Sequence, residues 1–518
     1  MGVLDFIHSF SAYLPEIKAP ERPPGTKERL IWTGVALVLF FMMYDTTALG
    51  VQSSSGGGVD FLQTITASKI GSLLTAGIGP IVLASIFLQL FVGAGILKLD
   101  LKDKNDKQKF LETQKILAIV LAVVEGIIFV ITARVMIDPL FPQFGEGAVM
   151  LASGAQAVNA PYTMAFVIFQ IALGSVLILF LDEVVTKYGL GSGISLFIAA
   201  GVSFSVVAGV FDIIFVGSMY PPSVLSIMTE GGAEALPGAF LALLPFGFTV
   251  LVFLAVVFAE GVKVEIPIAF ERVRGMVPKL PLKFFYVSNI PVIFASALII
   301  NAQLFAGSIL LGQYWDQAGK PTNLTSNLID TRHYSFERDG ILPLIGTVTS
   351  THQLDDGLLY LLTPVYGAGR GTIAHWTFLS TATTPFLNIP EWVHALIYVL
   401  FLSIISVVFG LFWVEIANMD AKNVASQLSS SGLQIPGFRR DPRMVESILD
   451  KFIFPLTIMG SLAVGLLAGI ADLTGALGTG TGILLTVGIL HRLYEQLEQM
   501  KTFEAYPSLG KLVGEDSL

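Results

Sequence analysis

The chain has 518 residues, 53% hydrophobic and 13% charged, with 30 Lys and Arg, 39 Asp and Glu, and no cysteine. Soluble chains carry about a quarter charged residues; the low charge and a mean hydropathy of +0.74 exclude that class and leave a polytopic membrane protein. The absence of cysteine excludes a disulfide framework and thiolate metal sites, and the net charge of −9 matters less than where the charges lie.

Residues 1–29 are too polar for a signal-peptide core, and Lys18, Arg22, Lys27 and Arg29 precede the first apolar run, so no cleavable signal is expected. Val3, Phe6, Ile7, Phe10, Tyr13 and Leu14 recur at helical spacing, which predicts a short amphipathic helix on the membrane surface. Met-Gly at the start resembles an acylation signal, but Phe6 stands where that signal needs a hydroxyl.

Ten apolar runs follow, at 30–50, 74–97, 114–134, 161–181, 190–214, 237–260, 284–306, 392–414, 453–472 and 475–494. Each is long enough to cross a hydrocarbon core of about 30 Å. With both termini in the cytoplasm, the cytoplasmic segments hold 24 of the 30 Lys and Arg, as the positive-inside rule requires. Between the first two runs lies "SSSGGGVDFLQTITASKIG" (Ser53–Gly71), a half-polar segment that leads without loop composition into the uncharged run Ile70–Leu97.

The two halves of the chain resemble each other. "GPIVLAS" (Gly79–Ser85) pairs with "IPVIFAS" (Ile290–Ser296), and "GSGISL" (Gly191–Leu196) with "GTGILL" (Gly480–Leu485). Spans five apart run in opposite directions, so the pairs read either as an inverted repeat of five plus five spans or as chance likeness between apolar strings. Residues 263–283 alternate apolar and polar around "RVRG", which predicts a β-hairpin with Arg272 and Arg274 at its tip. A second cytoplasmic loop, 415–452, carries Arg439, Arg440 and Arg443. Two basic projections on one face fit a phosphate-rich partner; the alternative is that they only enforce orientation or meet anionic lipid.

Catalytic equipment is missing from the pattern. There is no H-E-x-x-H, no nucleophile elbow and no pairing of the six histidines at ligand spacing. "GALGTGTG" (Gly475–Gly482) lacks the lysine of a phosphate loop, and "GLLAG" (Gly465–Gly469) reads as a packing face. An enzyme is not expected, and neither a metal nor a cofactor. A secondary transporter competes because it shares inverted repeats and glycine-broken spans. Glu125 is the only acidic residue near the middle of a span, open to two readings: a satisfied polar contact between helices, or a gating group.

Several strings together resemble the SecY family, the central subunit of the protein-conducting channel, in its archaeal form. They are "TITASKIG" (Thr64–Gly71), "GIGPIV" (Gly77–Val82), "LDEVVTKYGLGSGISLFIAAGV" (Leu181–Val202), "VEIPIA" (Val264–Ala269), "YVSNIPVI" (Tyr286–Ile293), "FGLFWVE" (Phe409–Glu415) and Gly480–Leu497. The resemblance implies an all-α polytopic fold of ten transmembrane helices, in two inverted five-helix halves around a central pore, with a short re-entrant plug helix. The implied activity is passage of unfolded polypeptide across the membrane and lateral release of apolar segments into lipid.

It also implies residue roles. A pore ring falls on Ile78, Val82, Ile194, Ile198, Ile293 and Leu485. The plug is expected as a short helix over Val59, Asp60, Phe61, Leu62, Gln63, Thr64, Ile65, Thr66, Ala67 and Ser68, hinged at Gly56–Gly58, with Phe61, Leu62 and Ile65 facing the ring. A lateral gate between spans 2–3 and 7–8 takes Glu125 and Asn301; its third position is Leu83 here, with Ser85 as substitute. Ribosome docking falls to Arg272, Arg274, Arg439 and Arg440. Implied partners are a SecE-type (gamma) subunit, a small beta subunit, the translating ribosome with its RNA, signal sequences, the nascent polypeptide and membrane lipid. The implied organisation is a cytoplasmic amphipathic segment 1–29; an N-terminal half 30–236 with the plug at 56–70; a C-terminal half 237–496 with cytoplasmic loops 263–283 and 415–452 and a long outer loop 306–391; and a cytoplasmic tail 497–518. The outer loop is longer than the resemblance leads one to expect, and it holds the sequon Asn323-Leu324-Thr325.

Overall fold

A computed structural model describes residues 15–22, 24–51, 60–93, 95–97, 99, 104–131, 135, 161–217, 222–230, 235–267, 269–270, 279–311, 347–348, 354–365, 372–384, 388–430, 433–434 and 442–505. The N-terminal amphipathic helix, Gly56–Gly58, Val59, Arg272, Arg274, Asn323, Arg439 and Arg440 lie outside the described residues.

Each apolar run carries helix. In chain order these are α1 (Thr26–Asp45), the short α2 (Asp60–Ile65), α3 (Gly79–Gly93), α4 (Lys104–Ile131), α5 (Pro161–Tyr188) and α6 (Gly193–Phe211). Then come α7 (Val224–Glu230), α8 (Ala235–Ala242), α9 (Leu244–Gly261), α10 (Ile290–Leu311), α11 (Thr372–Thr381), α12 (Glu391–Ile416), α13 (Ala421–Ser430), α14 (Pro442–Asp472) and α15 (Gly480–Ala505). Among the described residues six helical stretches are long and apolar enough to cross a membrane, and the apolar helices of α3 and α10 are shorter.

The helix starts differ from the apolar runs in an instructive way. Runs 74–97, 284–306 and 475–494 begin with turns, and helix starts only at Gly79, Ile290 and Gly480. Hydropathy reports what a segment is solvated by, not its backbone. In the first run Gly77 is left-handed (φ +55°) and its neighbour Thr66 leaves no room for a Cβ. Pro80 and Pro291 then occupy the first turns of α3 and α10, where a missing N–H costs nothing.

One large apolar cluster draws on α1, α3, α4, α5, α6, α9, α10, α12, α14 and α15. Lipid is as apolar as leucine, so packing holds such helices together. Accordingly, α14 brings Gly465 and Gly469 of "GLLAG" against Ser403 and Val399 of α12, where an added Cβ would stand 2.7 and 3.0 Å from the facing atoms. At one end of the bundle β1 (Lys263–Pro267) pairs antiparallel with β3 (Lys279–Lys283), in the register Lys263↔Lys283. The hairpin is thus present. Its next segment, β2 (Ala269–Phe270), pairs with β4 (Leu433–Gln434) of the second loop, so the two projections are joined. Lys283 also bonds Glu495 of α15 at 2.6 Å.

Two buried helix starts are capped by acids from the preceding span. Asp182 Oδ1 accepts the Ile194 N–H at 2.8 Å at the start of α6. Asp472 Oδ1 accepts the Thr481 N–H at 2.9 Å at the start of α15, while its Oδ2 accepts from Thr481 Oγ1 (2.6 Å) and Tyr398 (2.8 Å). Charge-assisted bonds of this kind are worth about 1.5–3 kcal/mol each when a partner is left buried. Asp472→Ala is therefore expected to destabilise the purified protein by roughly 3 kcal/mol, and more than Asp182→Ala. Thermal unfolding in detergent measures the order; equal stability of Asp472→Ala and the parent would show that the cap is dispensable.

Candidate functional site

All six aliphatic positions expected to form a ring lie in or against the large apolar cluster. Ile78, Val82, Ile198, Ile293 and Leu485 are buried members of the large cluster, and Ile194 packs against it partly buried. They sit at or near the starts of four helices, and the helix caps fix how the two halves correspond. Ile78 C=O accepts from Val82 N–H (3.1 Å) as α3 begins, and Asn289 C=O accepts from Ile293 N–H (3.1 Å) as α10 begins. Ile78 thus corresponds to Asn289, and Val82 to Ile293. Likewise Ser192 C=O accepts from Leu196 N–H (3.0 Å) and Thr479 C=O from Ile483 N–H (3.1 Å). Gly191 and Gly478, the residues before them, are both left-handed at φ +69° and +73°.

This corrects the register read from the strings. Gly191-Ser192-Gly193 matches Gly478-Thr479-Gly480, two residues away from the pairing of "GSGISL" with "GTGILL". Ile198 then corresponds to Leu485, and Ile194 to Thr481. Two ring positions have aliphatic counterparts in both halves. The other two are polar in the second half, and both polar residues are engaged. Asn289 Nδ2 donates to Leu484 C=O at 3.1 Å, tying α10 to α15 beside Leu485. Thr481 is held by Asp472.

The short helix α2 lies against this cluster and ends earlier than expected, at Ile65 instead of Ser68. Ser68 N–H donates to Gln63 C=O (2.9 Å) and Ala67 is left-handed (φ +48°), the arrangement that closes a helix C-terminus. Thr66 and Ser68 share a buried hydroxyl–hydroxyl bond of 2.6 Å. The expected facing is corrected for Ile65, which belongs to a second cluster with Ile128, Phe129, Ile171, Ile300 and Leu304, while Ala67 belongs to the large cluster. Glycines permit the approach. An added Cβ at Gly482 would meet Thr64 Cγ2 at 2.7 Å, and one at Gly201 would meet Ala67 Cα at 3.6 Å. The side chains of Asp60, Phe61 and Leu62 lie outside the described residues.

Of the three polar residues expected at a gate, the structure does not unite all. Glu125 of α4 is buried with its carboxylate at the first residue of α3: an added Cβ at Gly79 would stand 3.0 Å from Glu125 Oε2 and 3.5 Å from Thr66 Cγ2. Asn301 donates within α10, to Ala297 C=O at 2.9 Å. Ser85, expected as the substitute for Leu83, accepts from Gln89 Nε2 at 2.9 Å, one turn along its own helix. Nearby, α3, α10 and α12 meet in an aromatic seam, with Phe294 edge-on to Phe409 (5.8 Å) and Trp413 (5.9 Å) and Gly93 against Phe412.

A protein-family model for SecY matches residues 72–494. The chain belongs to the SecY family. A relative, the protein translocase subunit SecY of Methanocaldococcus jannaschii, is 39% identical over 96% of this chain and 97% of that protein. Two solved structures cover 99% of this chain and are themselves covered completely. One concerns the plug domain of the SecY protein, which stabilises the closed state of the translocation channel and maintains a membrane seal (TM-score 0.71, 36% identity). The other is Sec61 in the canine ribosome–channel complex from the endoplasmic reticulum (TM-score 0.69, 37% identity).

Sequence reasoning passed over Asp182, Asp472 and Asn289 as fasteners of these SecY-family helices. A signal existed for the first two: Asp182 lies nine residues before Gly191-Ser192-Gly193, and Asp472 six before Gly478-Thr479-Gly480. The Asn289 tie is testable through Gly488, whose added Cβ would fall 1.8 Å from Asn289 Nδ2. Gly488→Ala is expected to cost about 1–3 kcal/mol, and adding Asn289→Ala should recover part of it. Additive losses in thermal unfolding would refute the coupling.

Proposed function

We propose that this chain is the pore-forming subunit of a protein-conducting channel, passing unfolded secretory polypeptide across the cell membrane and releasing transmembrane segments laterally into lipid. The observation that supports it is that Ile78, Val82, Ile194, Ile198, Ile293 and Leu485 all lie in or against one apolar cluster, with Thr64 and Ala67 of the preceding segment close to Gly482 and Gly201 of the helices that carry Leu485 and Ile198. A constriction lined by aliphatic side chains holds back water and ions when narrow, and flexible apolar side chains can close around any passing sequence. The segment from Val59 to Ser68 serves as the plug of the idle channel. Its half-polar composition suits a water-filled funnel, where Lys69 and Gln63 avoid the cost of lipid exposure.

Both termini lie in the cytoplasm, as the distribution of Lys and Arg requires, and the organisation into two halves with a tail follows the boundaries given above. The lateral gate opens along the seam of α3 and α4 against α10 and α12, with Glu125 and Asn301 on its two sides. The joined loops around β1–β3 and β2–β4 form one docking surface, and Arg272, Arg274, Arg439 and Arg440 meet ribosomal RNA phosphates there. The channel works without catalysis of its own. It assembles with a SecE-type (gamma) subunit and a small beta subunit, and it takes signal sequences and nascent chains as substrates.

Two measurements test this reading. Deleting 59–68 from the assembled channel in vesicles should leave a folded protein that leaks ions; a deletion variant as tight as the parent refutes the plug. Arg272→Glu combined with Arg439→Glu should weaken ribosome binding and make what remains less steeply dependent on salt. Unchanged binding at physiological salt removes the docking assignment.

A further inference from the structure

The chain entering the plug and the chain leaving it run side by side. Ala48 N–H donates to Gly71 C=O at 2.9 Å, Leu73 N–H donates to Thr46 C=O at 3.0 Å, and Thr47 and Ser72 form an antiparallel bridge. Lys69 reaches back to Asp45 at 2.7 Å across exposed surface, a pair that contributes little on its own. Both strands meet one face of α5. The side-chain amide of Gln170 engages the main chain of Leu49 twice: Leu49 N–H donates to Gln170 Oε1 at 2.9 Å, and Gln170 Nε2 donates to Leu49 C=O at 2.9 Å. Nε2 also reaches Phe166 C=O at 3.5 Å within α5.

Gln170 is only 7% exposed, and a long amide buried in a membrane helix is costly unless both its ends are bonded. Here both ends are satisfied by one residue of the plug's entry strand, the pattern a neighbouring β-strand would offer. One helical turn further on, Gly174 faces the exit strand. A Cβ added there would lie 1.9 Å from Leu73 C=O, so only glycine admits the contact. Val167 and Ile171, flanking Gln170, are buried in the cluster that receives Ile65 at the end of the plug helix. Entry strand, exit strand and plug helix are thus all referred to α5, a helix that contributes none of the six ring positions.

We propose that Gln170 and Gly174 are positioning residues for the plug: they fasten its entry strand at Leu49 and its exit strand at Leu73 to α5, and so set where the plug rests beneath the ring. This rests on the plug reading above. The clamp acts on the plug through the backbone of its stems. It therefore does not depend on which side chains the plug presents.

The test uses the assembled channel in vesicles, with idle ion leak as the readout. Gln170→Met keeps the volume and apolar surface but removes both bonds to Leu49, and Gly174→Ala forces the exit strand away. Each is expected to raise the idle leak several-fold while polypeptide transport persists. In the background lacking 59–68, where no plug remains to be positioned, neither should raise the leak further. Single variants as tight as the parent, beside a leaky deletion, overturn the clamp and leave the plug intact as an idea. Leaks that add to that of the deletion overturn it as well, since they mean general damage to the bundle. A deletion variant that does not leak refutes the plug itself and the clamp with it. If Gln170→Met fails to assemble, Gln170→Glu decides the matter: it can accept from Leu49 N–H but cannot donate to its carbonyl, so an intermediate leak is expected and a parental seal counts against the clamp.

Discussion

Starting a helix inside a membrane protein is the constraint on which this structure turns. The first turn of any helix leaves N–H groups without intrahelical partners, and hydrocarbon offers none. Of the four helices that hold the proposed ring positions, α3, α6 and α15 begin at buried residues, and α10 follows directly on buried Asn289. The first three starts have an acid at hand. Asp182 and Asp472 cap α6 and α15 directly, and Glu125 stands at Gly79 where α3 begins. At α10 the cap residue Asn289 shares the surroundings of Gly488 with Glu260. A carboxylate near a helix N-terminus is favoured by the aligned peptide dipoles, so buried acids that would be expensive elsewhere have a place here. Glu125 therefore need not belong to an ion-coupling site to explain its depth.

The same helix starts account for the unequal make-up of the ring. Of the proposed ring residues, the first half supplies Ile78, Val82, Ile194 and Ile198, and the second Ile293 and Leu485. The missing counterparts are Asn289 and Thr481, whose polar groups tie α10 to α15 and α15 to α14. One half thus contributes more apolar lining, and the other contributes internal fastening beside its two ring residues. Equivalent positions in a duplicated framework have taken up different physical tasks.

Much of this was legible from the chain. Long apolar runs have few alternatives to helix, and the alternation in 263–283 foretold the β1–β3 pairing because strands exposed on one face keep period two. Helix starts were less legible, since Ile70–Ile78 is as apolar as the helix that follows and only Gly71 and Gly77 betray its turns. The repeat was visible, but its register was not. Glycine recurs at alternate positions in "GTGTG", so letters alone fit two alignments, and the left-handed Gly478 decides between them. Ser85 shows another limit: its proximity in sequence to Leu83 said nothing about Gln89, whose side-chain amide donates to it from one turn along the same helix.

Because both stems of the plug are held at α5, a displaced plug remains attached beside the opening it leaves. Its return is then an intramolecular event, and for short flexible tethers such events run at effective concentrations on the order of millimolar. Ile65 is anchored in an apolar cluster, and Thr64, Thr66, Ala67 and Ser68 add small, partly polar surfaces beside it. Tethering adds to these contacts, and the closure can be re-formed promptly whenever the passage empties.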